Sequence, residues 1–530
     1  MGYWAKAPMA REQLVLIATT LDDRIPDDHP VRLIAEILEG YDWSAWESQY
    51  DGRLGQPPIH PKILASLWLY GLRRGVRSSR KLEYTAKHSI DFMWLAQGHT
   101  PDHTTLSEFR SKHSAGLKDL FRHILRVAMV GGFLDLIDVG TDGTRIKANS
   151  SRYQTWTAER IAKALEELAA ELEKQLAESL QADDRERQLL GDSSSEQLPA
   201  ELADLTARRK KLEAIQVQLH EADAARKKDG IDPKKNPAQI PKHDPDSRVL
   251  PNKEGGYAPN YTPLATTEGR GGYVVDCDVI VGPNENQELL PSLDRVTERL
   301  GEKPEHALAD GAFATGPNIK NLESRGIEFY SHLPIPAEAG NPAIRTDPTQ
   351  PVPEGEWDRL PINSQTKKLD KSCFVYAAEQ DVYYCPRGEA MPYEQTKTEK
   401  KNGETVGSRI YRCPACATCP LAGRCISTNN KTGGRSISRD IYATERERFA
   451  AKMQTPEAQT VYDKRMSIAE TTFAIIKHVR GLRQFLLRGP EKVNIEWLWT
   501  CTGLNLDKLT RDLRRVRAEL AAQLTVSLVN

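Results

Sequence analysis

The 530-residue sequence lacks any apolar run approaching the roughly 20 residues that a helix needs to cross a bilayer. Its first residues, MGYWAKAPMAREQ, hold no signal-peptide apolar region. The Met-Gly start also lacks the Ser or Thr at the sixth position that myristoylation favours. A cytoplasmic protein without a membrane partner is therefore the expectation. Net charge is missing too: 73 Lys and Arg against 74 Asp and Glu leave −1. This excludes a chain that is basic all over.

The basic residues are instead concentrated. Leu72–Lys81 carries Arg73, Arg74, Arg77, Arg80 and Lys81, and Lys477–Gly489 carries Lys477, Arg480 and Arg483. A third basic stretch is Lys508–Arg517. Each alone reads as a solvated helix face; three of them, with acidic segments elsewhere, point to a segregated surface for a polyanion. Of eight cysteines, five crowd between Cys385 and Cys425. In a reducing compartment, clustered thiols point to a metal before disulfides.

Residues 1–130 read as short helices with basic turns, a helix-turn-helix-like bundle fit for DNA, with an ordinary helical core as the alternative. Pro61 suits a helix start. FLDLIDVGTDGTRIKANSS is β-branched and alternating, so residues 131–155 hold a first strand through Asp142. Within 156–240, Leu165, Leu168, Leu172, Leu176 and Leu180 form one helical stripe. Leu198, Leu202, Leu205, Leu212, Ile215 and Leu219 form a second, giving a helical hairpin or short coiled coil before a polar linker. Residues 241–335 read β-β-α-β-α-β. The 336–435 segment is Pro-, Gly- and Cys-rich with short strands. A long helix from Tyr462 to Phe485 lies in 436–485, and 486–530 is helical.

Asp142 sits at the end of the first strand and Asp310 at the end of a later one, where α/β sheets collect ligands. Glu470 lies on the late helix among Ile468, Phe473, Ile475 and Ile476. Seven residues on, Lys477 returns to within about 20° of the same face. Three such acids suit a pair of Mg²⁺ (or Mn²⁺) ions ~4 Å apart acting on a phosphodiester. Asp138 shares the strand face with Asp142 and rivals it as first ligand. In the Cys-rich segment, Cys413, Cys416, Cys419 and Cys425 have metal spacing and Cys385-Pro-Arg-Gly resembles a zinc knuckle. Five thiols thus compete for four positions around a structural Zn²⁺, in an insert with few apolar residues.

These segments together resemble a known family. VGTDGTRIKANSS, ALADGAF and YDKRMSIAETTFAIIKHVRGLRQFLLRG are similar to the three acidic motifs of bacterial insertion-sequence DDE transposases. The stretch from Gln56 to Arg110 resembles their InsH-type N-terminal domain, and the helical hairpin and Cys-rich insert resemble the family called eleven eighty-two. The resemblance implies a ribonuclease-H-like α/β catalytic core, a mixed sheet with helices. To it are added an α-helical N-terminal domain, an inserted helical hairpin and a Cys-rich zinc-binding insert. It implies Asp142, Asp310 and Glu470 as catalytic metal ligands, cutting at terminal inverted repeats, and joining of 3′ ends to target DNA. Double-stranded DNA is the implied partner, bound by a homodimer.

A Tyr-Arg-Glu-Lys signature of many relatives is matched by Tyr462, Arg465, Glu470 and Lys477, with Lys477 set to grip a transposon-end phosphate. The match departs from the signature at one point: four residues, not three, separate Arg465 from Glu470. On an ideal helix this turns Arg465 about 140° from Glu470 instead of about 40°. Either the helix is irregular there or Arg465 meets DNA away from the metals. His332 and His478 read as packing or DNA-backbone residues. Two alternatives share these acids or this charge: a ribonuclease-H-like nuclease that cuts without joining, and a domesticated, catalytically silent DNA-binding protein.

Overall fold

The computed structural model describes residues 20–50, 57–190, 200–228, 232–252, 255–282, 284–333, 340–401, 404–427 and 433–529. The chain divides into two compact units, Met1–Pro304 with Met466–Asn530, and Glu305–Arg465.

In the first unit the helices Pro30–Glu39, Pro61–Arg73, Ser79–His88, Ile90–Leu95, His103–Lys112 and Ser114–Val130 come first. Pro61–Arg73 starts on Pro61, with the His60 side chain accepting from the Lys62 amide. All of its residues from Ile63 to Leu72 are buried, so it is a central helix and not an amphipathic one. It packs on the long C-terminal helix Pro490–Val529, which also contacts Ser114–Val130 and the Val274–Ile280 strand. Two fully buried indoles make that joint: Trp499 Nε1 donates to Arg110 O (3.1 Å) and Trp497 Nε1 to Leu264 O (2.9 Å). A buried indole N–H needs such a partner. Asn505 donates to and accepts from the Val274 backbone, 2.7 and 2.9 Å. The expected boundary at 130 is thus no break in the packing, because one helix from the far end of the chain seals the N-terminal helices and the sheet into one core.

The strand Tyr257–Glu268 organises the sheet of this unit. It pairs antiparallel with Asp138–Gly143, Ile146–Lys147, Arg248–Pro251 and Val274–Ile280. Asp142 lies opposite Ala265. Helix Leu289–Leu300 follows. The helical hairpin is formed by Ala158–Leu190 and Ala200–Lys228. Ile161, Leu168, Leu212, Ile215 and Leu219 are buried together, with Leu165, Leu172 and Leu205 against them. Leu198 and the side chains of Leu176, Leu180 and Leu202 fall outside the described residues.

In the second unit His306–Ala309 pairs parallel with Glu328–Tyr330, and helix Gly316–Arg325 makes the crossover. A five-stranded antiparallel sheet follows, with strands Val375–Ala377, Val382–Tyr384, Ala390–Lys401, Glu404–Arg412 and Ser436–Asp440. Two of these strands are long where short ones were expected. The insert is also not short of apolar packing: Val352, Leu360, Phe374, Tyr383, Met391 and Tyr411 share a buried core with Cys373, Cys385, Cys413, Cys416 and Cys425. Helices Ala443–Met453 and Pro456–Arg465 close the unit. Antiparallel and parallel strand pairs with many helices make a mixed α/β architecture, compatible with a ribonuclease-H-like core.

Candidate active site

The Asp138–Gly143 strand is buried along its whole length. Successive side chains alternate between faces, so Asp138, Gly140 and Asp142 share one. Gly140 is there because something comes very close. A Cβ on it would lie 2.9 Å from Ile468 Cγ2 and 3.4 Å from Ala469 Cβ. Asp138 and Asp142 are 9% and 8% exposed. Asp142 Oδ1 accepts from the Gly143 amide (2.8 Å).

The segment that approaches Gly140 is not the regular helix expected from Tyr462 to Phe485. Helix Pro456–Arg465 gives way to a π turn at Met466–Glu470, a short α segment at Thr471–Ala474 and a second π turn at Ile475–Val479. Gly481, at φ +70°, ends it. A π turn takes up an extra residue and recurs at functional sites. Of the two explanations for the additional residue between Arg465 and Glu470, helix irregularity is the one found. Ile468, Phe473 and Ile476 are buried, Ile475 is half-buried, and Glu470 is exposed. Thr267 Oγ1 donates to Thr472 Oγ1 (3.2 Å), and Phe473 stacks on Trp497 at 6.2 Å. Lys477, half-buried, donates to Thr144 Oγ1, two residues beyond Asp142. Past Gly481 the chain runs beside the same strand exit, with Phe485 N donating to Lys147 O (2.8 Å) and Gln484 Nε2 to Ala148 O (3.0 Å). The first unit therefore gathers Asp142, Lys477 and the turn bearing Glu470 around the end of one strand.

Asp310, in the second unit, directly follows the His306–Ala309 strand and is half-buried. Its Oδ1 accepts from Ala312 N (2.9 Å), capping the Gly311–Phe313 turn, while its carbonyl accepts from Ser331 Oγ (2.7 Å). The carbonyl oxygen of His332 lies 2.8 Å from where a Cβ on Gly311 would be. Tyr462 and Arg465 belong to this unit as well, the guanidinium 6.0 Å from the ring centroid.

The basic residues part into two groups. Arg480 is 7% exposed and pairs with Asp507 (2.6 Å), and burial brings its guanidinium down to about 10. Arg73 pairs with the same Asp507. Arg77 donates to Gly481 O (2.9 Å), Gln484 O (2.6 Å) and Glu496 (3.2 Å). Buried Arg480 and half-buried Arg73 and Arg77 thus bond within the protein, where the sequence pattern predicts DNA contacts. Arg74, Arg80, Lys81 and Arg483 are exposed. Arg74 lies 3.7 Å from Asp91, and Arg483 reaches Nδ1 of the exposed His478 (3.2 Å). On Ser79–His88, exposed Arg80, Lys81, Tyr84, Lys87 and His88 recur at i, i+1, i+4, i+7 and i+8, one helix face, with the Tyr84 and His88 rings stacked at 4.2 Å. Tyr84, 64% exposed, was missed in the sequence; an aromatic inside a basic stretch was the available signal.

All five clustered cysteines line one cavity of about 90 Å³. Cys413 donates to Cys385, which holds the Cys385 thiol down at about 6 and pushes Cys413 up. Burial raises Cys425 to about 12 and raises Cys419. Backbone amides reach four of the sulfurs: Arg387 and Glu389 at Cys385, Ala415 at Cys413, Leu421 at Cys419, and Arg435 at Cys416 (3.3 Å). Among the described residues, no three His, Cys, Asp or Glu side chains converge as a metal-binding group, so neither the expected zinc set nor the expected Mg²⁺ set is found. Among them, too, no helix is long and apolar enough to cross a membrane.

Residues 384–510 match a family model described as a Transposase DDE domain. Residues 19–112 match one described as a Transposase domain (DUF772). Both family models describe transposase domains. The first holds Glu470, Lys477 and the five cysteines; the second holds the helices up to His103–Lys112. No curated protein matches the chain. The two domains support an insertion-sequence transposase, an enzyme that processes DNA, and transposase domains of the DDE kind generally use divalent metal ions.

Proposed function

We propose that this chain binds the terminal inverted repeats of an insertion sequence, cleaves the DNA ends and joins the freed 3′ ends to target DNA. The observation that carries the proposal is the junction at the end of the Asp138–Gly143 strand. Gly140 admits the π turn bearing Glu470, and Lys477 reaches Thr144 beside Asp142. Asp142, at the end of this strand, and Glu470, on the turn that packs against it through Ile468 and Ala469, carry hard oxygen donors of the kind that suits Mg²⁺ or Mn²⁺. Asp310 is the third proposed acid, on the strength of its motif. Bound divalent ions would supply charge to activate the attacking oxygen and stabilise the departing one.

The chain's own residues do the rest. Asp142 and Glu470 hold position through strand and turn. Lys477 offers an ammonium that can leave Thr144 for a backbone phosphate, a contact that positions DNA without reading bases. The exposed face of Ser79–His88, with Arg80, Lys81 and the Tyr84–His88 stack, takes the DNA end, together with Arg74 and Arg483. Arg465 and Tyr462 are further proposed DNA contacts in the second unit. We assign a dimer on DNA. For the insert we propose Zn²⁺ on Cys385, Cys413, Cys416 and Cys419, the sulfurs that receive backbone amides.

The test is incubation of the full chain with end DNA and Mg²⁺, resolving nicked, hairpin and joined products. Joined products are expected from the wild type and none from Asp142→Ala, Asp310→Ala or Glu470→Ala, all of which should retain end binding. Cleavage without joining would point to a plain nuclease, and binding without cleavage to a silent DNA-binding protein.

A further inference from the structure

The strand exit that carries Asp142 is held from its other face as well. Gly140 faces Ile468 and Ala469, so Thr141 and Gly143 face away from them. On that opposite face Thr141 Oγ1 bonds Thr266 Oγ1 (2.9 Å), which bonds Ser292 Oγ (2.6 Å) on the Leu289–Leu300 helix. Just ahead of that helix lies Glu285, whose carboxylate occupies the space a Cβ on Gly143 would need. Arg145 Nη1 donates to Glu285 Oε1 (2.8 Å) and to Thr262 Oγ1, and Thr262 Oγ1 donates to Gly282 O (3.0 Å). The two charged side chains are only 16% and 17% exposed. The Asp142-Gly143-Thr144-Arg145 turn is thus gripped at Thr144 by Lys477 and at Arg145 by Glu285.

We propose that Arg145 and Glu285 are positioning residues for Asp142, their ion pair bracing the strand exit from the face opposite the turn that bears Glu470. This rests on the reading of Asp142 as a metal ligand. A pair so little exposed fixes its surroundings because breaking it strands a charge with few waters. Glycine at 143 follows from the same arrangement, since any side chain there would displace the Glu285 carboxylate.

End cleavage by the full chain across a Mg²⁺ series, for wild type, Glu285→Gln, Arg145→Gln and Arg145→Lys, tests the role, with Asp142→Asn as reference. Hydrogen exchange of residues 140–147 in the DNA-free proteins supplies a readout independent of activity. In both Gln variants the Mg²⁺ needed for half-maximal cleavage should rise about tenfold, the scale seen for residues that orient metal ligands. Exchange at 143–147 should quicken while that of Pro61–Arg73 stays unchanged. Arg145→Lys, which keeps the charge, should recover both readouts, and it serves as the measured variant if a Gln variant fails to fold. Unchanged exchange at 140–147, or an unchanged Mg²⁺ requirement in folded Glu285→Gln, overturns the role. Cleavage by Asp142→Asn would sink the parent reading instead. A dead Asp142→Asn beside a Glu285→Gln protein of normal Mg²⁺ requirement would sink the bracing role alone.

Discussion

Gly140→Ala is the smallest change that separates the Glu470 turn from the Asp142 strand. The added methyl would sit 2.9 Å from Ile468 Cγ2, closer than carbon atoms tolerate, with Ile468 Cβ and Ala469 Cβ both at 3.4 Å. Strand Asp138–Gly143 is anchored by five register pairs with Tyr257–Glu268, so the π turn has to give way. Overpacking of this kind costs about 1–3 kcal/mol. Ile468 is 8% exposed, and Ile468→Ala alone should cost about 2–5 kcal/mol through the lost side chain. In the double variant the alanine methyl fills part of the space that isoleucine vacates. The two costs should therefore fall short of their sum by about 1–2 kcal/mol, within the range for residues in contact. Urea denaturation of the four proteins gives the cycle, and end cleavage run beside it shows whether a shifted turn loses activity beyond the loss of folded protein. Strict additivity, or a Gly140→Ala protein of normal stability and cleavage, would refute the close approach.

Lys477→Ala should weaken binding of cognate and scrambled ends by similar factors and flatten the salt dependence by about one phosphate contact; unchanged binding would return Lys477 to the role of a Thr144 partner. Glu470→Ala should keep end binding and lose cleavage; normal cleavage would remove Glu470 from the acid set. Burial holds Lys508 down at about 8, against about 10.4 in the unfolded chain, so between those values the unfolded state binds more protons and stability rises with pH. The stability of wild type minus that of Lys508→Met should climb by up to about 3 kcal/mol from pH 8 to pH 10.4; a flat difference curve would show that Lys508 stays charged. Chelator-washed protein should hold about one zinc per chain, lost in Cys385→Ser and kept in Cys425→Ser; zinc-free protein with an ordered insert would leave the cysteines as core residues only.

Much of the chain was legible from short-range pattern. The strand through Asp142, the leucine stripes of the helical hairpin and the strand-helix alternation up to Tyr330 all follow from local periodicity. What escaped depends on partners remote in sequence. The extra residue between Arg465 and Glu470 hinted at an irregular helix, but nothing local shows that the Met466–Glu470 turn packs on Gly140, more than three hundred residues earlier. Arg73 and Arg77 looked like surface charge because their partners, Asp507 and Glu496, lie on a helix at the other end of the chain. Glu285 gave no motif of its own; only the missing side chain at Gly143 betrays it. The long hairpin Ala390–Lys401 and Glu404–Arg412 was legible and overlooked: Asn402-Gly403 between β-prone residues is a two-residue hairpin signal, masked by the Lys and Glu of its solvent-facing strands.

The measurement that bears most directly on the central claim is product analysis of end DNA incubated with Mg²⁺ and wild-type or Asp142→Asn protein, at matched and measured end binding. Cleaved and joined products are expected from the wild type, and bound but uncut DNA from Asp142→Asn. Equal cleavage by the two proteins would contradict the claim.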